Sequence, residues 1–306
     1  MKLQNSFILR EYLRPQVLPS TWCPGCGLGI VMSSIAQAVH YRGLPKRDVA
    51  MVSGIGCTGR MSGYVDFNTL HTTHGRAPAF ATGLKLARPD MTVLVVMGDG
   101  DSMSIGGNHL VHAMRRNIGL TAIVVNNAVY GLTGGQASPT TPVGGRTTTS
   151  RPGAFERPMN LEALARAAGA TFFARATVNH TAALVKMIER ALAVPGFAMV
   201  EIVSNCHVLY GRMNDLGDAA QMMKGMDPMT RRVNPVLLKR ATLPQRLGAV
   251  EAGPAAQSGG APHTPFADDP RLPRGVIFER AHGGDYAQRW RELAAPRAAA
   301  GEETAS

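Results

Sequence analysis

The 306-residue sequence contains no apolar run approaching the roughly 20 residues that span a bilayer. Its first stretch, MKLQNSFILREYLRP, lacks the hydrophobic segment and small-residue cleavage site of a secretory signal. From both absences we expect a cytoplasmic protein without a membrane anchor. No run of Lys and Arg with interleaved aromatic residues occurs, which argues against a nucleic-acid groove. The net charge of +11 comes largely from scattered arginines. A basic surface would suit anionic substrates or an acidic protein partner, with a merely arginine-rich composition as the alternative for most of these residues.

Charged residues make up only 17% of the chain and hydrophobic residues 45%, which suffices for a packed core. Strand and helix patterns alternate along the sequence. We predict helices at 29–39, 79–87, 105–116, 160–168 and 181–192, and strands at 48–53, 91–97, 120–127, 197–206 and 275–278. A Gly-, Thr- and Pro-rich loop is expected at 131–153. The alternation predicts an α/β fold, a parallel sheet with helices on both faces.

The composition changes towards the end of the sequence. Residues 250–270 are small, polar and proline-rich, which is typical of a loop or linker. The last residues, AAPRAAAGEETAS, are expected to form a frayed terminus. We therefore divide the chain into a main domain at 1–235 and a C-terminal extension at 236–306.

The stretch VVMGDGDSM places two carboxylates directly after a strand-like apolar run. In open α/β sheets, ligands bind at the carboxyl ends of the strands, so Asp99 and Asp101 are candidate ligand contacts. The next strand ends in Asn126-Asn127, and one crossover helix fits the interval, so Asp99 and Asn127 should lie side by side. A glycine-rich loop follows. Oxygen ligands and backbone amides together predict a magnesium–diphosphate cradle, with a plain structural bend as the alternative.

These motifs resemble a known family. GDG followed at this interval by NN is similar to the thiamine-diphosphate motif. The longer stretches GDGDSMSIGGNHLVHAMRRN and VVNNAVYGLTGGQASPTTP resemble the beta subunit of 2-oxoacid:ferredoxin oxidoreductases, especially its 2-oxoglutarate branch. The similarity runs from about Trp22 to Tyr210. It implies a thiamine-diphosphate-binding fold.

The resemblance also implies roles for individual residues. Magnesium would be held by Asp99, Asn127 and the carbonyl of Val129. The segment HTTHGRAPAFATGLKLARPD makes His74 a cofactor contact and catalytic candidate, with a hydrogen-bonded helix cap as the alternative. The other residues implied around the diphosphate and thiazolium are Gly56, Cys57, Gly98, Gly100, Asp101, Gly131, Leu132 and Thr133.

The four cysteines form a C-x2-C pair and two dispersed residues: Cys23, Cys26, Cys57 and Cys206. Cytoplasmic chains rarely keep disulfides, so this pattern favours metal binding. A structural zinc site usually has two closely spaced pairs, whereas one pair with two dispersed cysteines suits a [4Fe–4S] cluster. The beta subunit that the chain resembles uses four cysteines in this arrangement. Four free core cysteines are the alternative.

The resemblance implies a complete reaction and the partners it needs. The enzyme would convert 2-oxoglutarate and coenzyme A into succinyl-CoA and CO2 and pass the electrons through the cluster to ferredoxin. Thiamine activation needs a glutamate that this chain has no second module to supply, so an alpha subunit should bring the pyrimidine-binding half in an α2β2-type heteromer. Two alternatives stay open: a cofactor-holding electron-transfer subunit of a pyruvate or broad-specificity enzyme, and a non-oxidative thiamine-diphosphate decarboxylase or ligase.

Substrate choice is assigned to two residues. In the resembled family a basic residue matching Arg60 lies near the substrate carboxylate, and a guanidinium can bind a carboxylate through two hydrogen bonds. An arginine without a role on the surface is the alternative. Leu132 should form part of the pocket wall and limit side-chain size. Together they predict a preference for 2-oxoglutarate over pyruvate.

Overall fold

The structure is a computed structural model that describes residues 2–232, 272–280 and 284–292. Its helices are α1 (Lys2–Tyr12), α2 (Leu28–Tyr41), α3 (Ala77–Ala87), α4 (Asp99–Met103), α5 (Gly107–Arg115), α6 (Leu161–Ala167), α7 (Thr181–Leu192) and α8 (Ala219–Met226). Its strands are β1 (Val49–Ser53), β2 (Asn68–His71), β3 (Thr92–Gly98), β4 (Leu120–Asn126), β5 (Val129–Tyr130), β6 (Gln136–Ala137), β7 (Phe172–Thr177), β8 (Ala198–Val203), β9 (Thr230–Arg232) and β10 (Leu272–Glu279). No helix in the described ranges is long and apolar enough to span a membrane.

Eight strands form one sheet in the order β2-β1-β3-β4-β8-β7-β10-β9. Every pair in it is parallel except β10 with β7. The central strands β3 and β4 are buried on both faces, which explains why they read as continuous apolar runs in the sequence. The carboxyl ends of the neighbouring strands β1, β3 and β4 therefore lie side by side at the same end of the sheet.

The two faces of the sheet carry separate hydrophobic cores. Leu94 and Val96 of β3 pack into the first with α1, α2 and α7. Val95 and Met97 pack into the second with α3, α5 and α6. This alternation of side chains along one strand places helices on both sides. The predicted α/β fold, a parallel sheet covered on both faces, is confirmed.

The helix predicted at 105–116 begins two residues later in the structure than the sequence indicates. A short helix, α4, follows β3 at once, and α5 begins only at Gly107, so the apolar Ile105 lies in the connecting turn and is 49% exposed. The turn is tight because Gly106 packs on backbone: a β-carbon there would lie 2.3 Å from the carbonyl oxygen of Asp101. The predicted helix start at Ile105 was wrong for this reason. The strand predicted to reach Cys206 also ends earlier, at Val203.

Part of the predicted C-terminal extension joins the main sheet. The predicted strand 275–278 lies within β10, which pairs antiparallel with β7, and a helical segment follows at 286–292. The loop predicted at 250–270 and the frayed end lie outside the described residues, so the division at 235/236 stays a prediction.

A buried asparagine connects this C-terminal segment to the sheet. Asn117 has a left-handed backbone (φ 53°) and is 2% exposed. Its Oδ1 accepts hydrogen bonds from Thr171 Oγ1 and Phe197 N, both at 2.8 Å. Its Nδ2 donates to the carbonyl of Gly284 at 3.3 Å, and its own carbonyl accepts from Tyr286 N. One side chain thus joins the residues just before β7 and β8 to the segment after β10.

We expect Asn117→Ala to lower the free energy of unfolding by about 2–4 kcal/mol. The buried backbone amide of Phe197 would lose its hydrogen-bond acceptor, and alanine disfavours the positive φ of residue 117. Asn117→Gly should recover about 1 kcal/mol of this loss, since glycine accepts the backbone conformation. Denaturant unfolding measures both values. Asn108→Ala, which changes an exposed asparagine on α5, is the control and should have little effect. Equal stability of Asn117→Ala and the wild type would contradict the assignment.

Candidate active site

A pocket opens where β1, β3 and β4 end. Its wall is formed by Ile55–Thr58, His74, Gly98–Asp101, Asn127 and Val129–Thr133. The structure thus brings together all twelve residues predicted to contact a cofactor, although they come from four separate parts of the chain. Parallel strand order explains this, because the loops after neighbouring strands leave the sheet at the same edge.

Three oxygen atoms converge at the base of the pocket. Asn127 Oδ1 lies 3.2 Å from Asp99 Oδ1 and 2.8 Å from the carbonyl oxygen of Val129, and exchanging the amide O and N of Asn127 would turn both contacts into hydrogen bonds. Octahedral Mg²⁺ with bonds of about 2.1 Å places neighbouring ligand oxygens about 2.9 Å apart. The Asn127 amide, the Asp99 carboxylate and the Val129 carbonyl therefore lie close enough together to contact one cation, and these oxygen donors fit magnesium.

The second oxygen of Asp99 is held by two hydroxyls. Asp99 Oδ2 accepts hydrogen bonds from Ser138 Oγ at 2.7 Å and Thr140 Oγ1 at 2.5 Å. Burial raises the pKa of Asp99 above its ordinary value, and the two hydroxyls lower it in part. The carboxylate is therefore oriented with Oδ1 towards Asn127, and a nearby cation would favour its charged form.

Gly100 is required by an aromatic ring. A β-carbon at position 100 would lie 2.2 Å from the ring of Tyr130, and Tyr130 Oη donates to the Gly100 carbonyl at 3.2 Å. From the sequence, we expect a glycine at position 100 because it lets the backbone approach the diphosphate closely. The structure adds this packing contact, and it also places Tyr130 in the pocket wall, which sequence reasoning did not predict.

Asp101 connects three segments around the pocket. Its Oδ1 accepts from His74 Nδ1 at 2.5 Å, from Gly75 N at 2.7 Å and from Ile55 N at 3.4 Å. Its Oδ2 is buried without a hydrogen-bond partner among the described residues. Burial raises the pKa of Asp101, while the Gly75 amide and His74 lower it. Because Asp101 engages Nδ1, Nε2 is the other His74 nitrogen that could contact a ligand in the pocket.

The four cysteines lie near one another beside this pocket. Burial raises the pKa of the Cys57 thiol to about 11, with further increases from the neighbouring thiols of Cys206, Cys26 and Cys23. Burial also raises the pKa of Cys26 and Cys206. Cys23 is exposed and the other three cysteines are partly buried. The raised pKa favours neutral thiols, so thiolates at these positions would need a compensating cation, and the all-sulfur donor set suits a metal cluster.

Hydrogen bonds hold the cysteine segments together. Asn205, 1% exposed, donates through Nδ2 to the carbonyl of Gly25 at 3.0 Å and accepts from Gly27 N at 2.9 Å. The C-x2-C turn is thereby attached to the residue before Cys206. Trp22 Nε1 donates to the Cys57 carbonyl at 2.8 Å.

The described part of the chain contains no group of three or more His, Cys, Asp or Glu side chains arranged to hold a metal ion. A [4Fe–4S] cluster binds its four cysteines at separate irons, so its ligands need not converge on one point.

Comparisons with known proteins agree with this geometry. Residues 54–202 match the family model described as "Thiamine pyrophosphate enzyme, C-terminal TPP binding domain". The chain is 54% identical over 196 residues to 2-oxoglutarate synthase subunit KorB of Archaeoglobus fulgidus, an alignment that covers 64% of this chain and 73% of the relative. It is 43% identical over 187 residues to the 2-oxoacid:ferredoxin oxidoreductase subunit beta of Saccharolobus solfataricus, covering 60% of this chain and 61% of the relative.

A solved structure is similar over nearly the whole chain. It is 2-oxoglutarate:ferredoxin oxidoreductase from Magnetococcus marinus with 2-oxoglutarate, coenzyme A and succinyl-CoA bound, at a TM-score of 0.78 and 30% identity, covering 95% of this chain and 90% of that one. The chain belongs to the 2-oxoacid:ferredoxin oxidoreductase beta subunits. As one of these beta subunits it carries a thiamine diphosphate-binding domain and acts in a multi-subunit oxidoreductase.

Two of the predicted site residues, Arg60 and Leu132, are more exposed than the residues at the base of the pocket. Arg60 is exposed on the 3₁₀ turn Gly59–Gly63, and the pocket wall formed by the described residues does not include it. Its charge does reach Cys57, whose pKa it lowers slightly against the effect of burial. Leu132 is in the wall and is 48% exposed, and its role in limiting side-chain size stays a prediction.

Sequence reasoning missed the residues that orient the predicted ones. Ser138 and Thr140 come from the loop predicted at 131–153, and their contacts with Asp99 depend on how that loop folds back. The Ser and Thr content of SPTT was the one available signal, since hydroxyls after a glycine-rich loop can bond a carboxylate.

Proposed function

We propose that this chain is the beta subunit of an enzyme that converts 2-oxoglutarate and coenzyme A into succinyl-CoA and CO2. The two electrons would be accepted by two oxidised ferredoxins with release of a proton, and a [4Fe–4S] cluster held by the four cysteines would supply the one-electron chemistry between them. One observation carries the proposal. Gly131 lies in the cofactor pocket wall, and a β-carbon there would lie 3.5 Å from Cys57 Sγ and 3.7 Å from Cys206 Sγ. Two of the four cysteine sulfurs thus lie beside the pocket wall, which supports electron transfer from a cofactor in the pocket to a cluster on the cysteines.

Thiamine diphosphate supplies the nucleophilic carbon and the electron sink for decarboxylation when it is bound. In this chain, Asp99, Asn127 and the Val129 carbonyl would hold Mg²⁺ on the diphosphate. The backbone of Gly98, Gly100 and Asp101, with Gly131–Thr133, would surround the cofactor. His74, which lines the pocket and is held through Nδ1 by Asp101, would contact substrate or cofactor there.

The four cysteines would each bind one iron of the cluster. Their donor set contains only sulfur, which suits iron–sulfur chemistry. Trp22 and Asn205 position the loops that carry Cys57 and the C-x2-C pair. Gly131 lies directly beside two of these sulfurs, since a β-carbon at 131 would be in van der Waals contact with Cys57 and Cys206.

An alpha subunit would complete the site. The pocket wall in the described ranges contains two aspartates, Asp99 and Asp101, but no glutamate, which supports an activating glutamate supplied by a partner. The open pocket also leaves one side of the cofactor for that subunit to cover. We propose an α2β2-type assembly that accepts ferredoxin and coenzyme A as further partners.

The purified alpha–beta complex tests the function. It should release CO2 from 2-oxoglutarate and reduce ferredoxin, and both should require coenzyme A. CO2 release without ferredoxin reduction would favour a non-oxidative decarboxylase or ligase. Reduction with pyruvate alone would favour the cofactor-holding subunit of a pyruvate enzyme. Either result would overturn the proposal.

Arg60→Ala should change the choice of substrate. We expect the wild type to favour 2-oxoglutarate over pyruvate in kcat/KM, and the variant to reduce that ratio about tenfold, because a charged hydrogen bond to the second carboxylate is lost. Arg47→Ala, at another exposed arginine, is the control. A wild-type ratio favouring pyruvate would refute the substrate assignment. An unchanged ratio in Arg60→Ala would refute the role of Arg60.

A further inference from the structure

The turn that carries two proposed magnesium ligands has an unusual backbone. Asn127 and Val129 flank Ala128, which has a φ of 61°. A residue with a β-carbon in this left-handed region costs about 1–2 kcal/mol. The turn brings Asn127 Oδ1 within 2.8 Å of the Val129 carbonyl oxygen. Something outside the turn must therefore hold Ala128 in place.

Asn126 is the residue that holds it. Asn126 Oδ1 accepts a hydrogen bond from Ala128 N at 3.2 Å and lies 3.0 Å from Thr140 Oγ1, which also contacts Asp99. On the other side of Ala128, Thr141 Oγ1 donates to its carbonyl at 2.7 Å. The orientation of the Asn126 amide is thus decisive, because only its oxygen can accept from Ala128 N.

Glu201 sets that orientation. It lies on β8, beside β4 in the sheet, and is 3% exposed. Glu201 Oε1 accepts from Asn126 Nδ2 at 2.8 Å, so the amide nitrogen of Asn126 must face β8 and the oxygen must face the turn. A carboxylate accepts only, which makes this selection unambiguous.

Glu201 is itself fixed by a buried group of four charges. Its Oε2 accepts from Arg175 Nε at 2.7 Å. Arg175 lies 3.5 Å from Glu162 and also donates to the Pro273 carbonyl of β10 at 3.1 Å. Glu162 pairs with Arg166 at 2.9 Å. Two acids and two bases balance, so the group is neutral but rigid.

A purely structural role accounts poorly for this arrangement. Buried ion pairs are often no more stabilising than well-packed apolar residues of similar size. Here Oε1 of the buried Glu201 accepts a hydrogen bond from Asn126, the residue before the proposed magnesium ligand Asn127. We propose that Glu201 is a positioning residue for the magnesium-binding turn, acting through Asn126. The inference rests on the proposed magnesium site.

The pair Glu201→Gln and Glu162→Gln separates positioning from stability. Both substitutions replace a buried carboxylate that contacts Arg175, but only Glu201 touches Asn126. A glutamine at 201 cannot accept from both Asn126 and Arg175, so one of these bonds is lost. Glu162→Gln leaves the bond between residues 126 and 201 intact.

The measurement is a Mn²⁺ titration of the alpha–beta complex with thiamine diphosphate present, followed by the EPR signal of free Mn²⁺. We expect about tenfold weaker binding in Glu201→Gln, the usual size of an effect on ligand orientation. Glu162→Gln should lower the melting temperature comparably and leave Mn²⁺ affinity within about twofold. Asn126→Ala should weaken binding too, and its combination with Glu201→Gln should be non-additive, because both act through one hydrogen bond.

Each outcome distinguishes one claim. Equal Mn²⁺ affinity in wild type and Glu201→Gln, or equal losses in the two glutamine variants, would overturn the positioning role. Additive effects of Asn126→Ala and Glu201→Gln would show that Glu201 does not act through Asn126, which also overturns it. Absence of tight Mn²⁺ binding in the wild type would instead refute the proposed magnesium site.

Discussion

The purified Asp99→Ala variant should contain almost no thiamine diphosphate and should turn over 2-oxoacids about a thousandfold more slowly than the wild type. The substitution removes one of three oxygens at the metal position and also the acceptor of Ser138 and Thr140. Because the diphosphate would be held mainly through the metal, losing that ligand should release the cofactor. Cofactor content of the purified alpha–beta complex measures the effect.

The same variant should keep its iron, since the cysteines are held by Trp22 and Asn205 rather than by Asp99. Asp90→Ala is a matched control: it removes an exposed aspartate just before β3, at the opposite end of the strand. Normal thiamine diphosphate content in Asp99→Ala would remove Asp99 from the magnesium site. Loss of iron together with the cofactor would indicate general misfolding.

The position of the pocket could be predicted because it depends on strand order alone. Asp99 and Asn127 follow consecutive strands that pair in parallel, so their side chains must meet at one edge. A purely local pattern, GDG followed by NN, carries that information. The two-sided burial of β3 and β4 was equally visible as apolar runs.

The contacts that shape the pocket could not be predicted in this way. Glu201 interrupts an apolar strand, and its position relative to Asn126 depends on β8 pairing with β4, although three strands and two helices lie between them in the sequence. A buried carboxylate in a central strand is as unusual as Asp99 at the end of one. It was overlooked because its partners, Asn126 and Arg175, lie far away in the sequence.

Small residues caused a different kind of error. Ile105 fits a helical face by its spacing, yet the backbone contacts of Gly106 force a turn and expose it. Sequence periodicity contains no information on contacts with distant backbone such as that of Gly75.

Strand β2 was missed because none of its residues is buried, so it lacks the apolar signal of the central strands.

Replacing Cys206 by Ala should remove the cluster and leave thiamine diphosphate in place. Cys206 follows β8 and is not part of the pocket wall in the described chain, whereas Cys57 is. Its loss should therefore lower iron content and the brown colour of the complex and stop ferredoxin reduction, with cofactor content unchanged. Cys57→Ala should remove iron as well. Iron analysis, visible absorbance and cofactor content together give the result.

Ser204→Ala is the control, because it alters the same loop at a buried hydroxyl without a hydrogen-bond partner in the described structure. It should keep iron, colour and activity. Asp99→Ala and Cys206→Ala should then have opposite phenotypes, one losing the cofactor and the other losing iron. One tightly held zinc per chain in the wild type would overturn the redox assignment, since zinc cannot accept electrons. Normal iron content in Cys206→Ala would exclude that cysteine from the cluster.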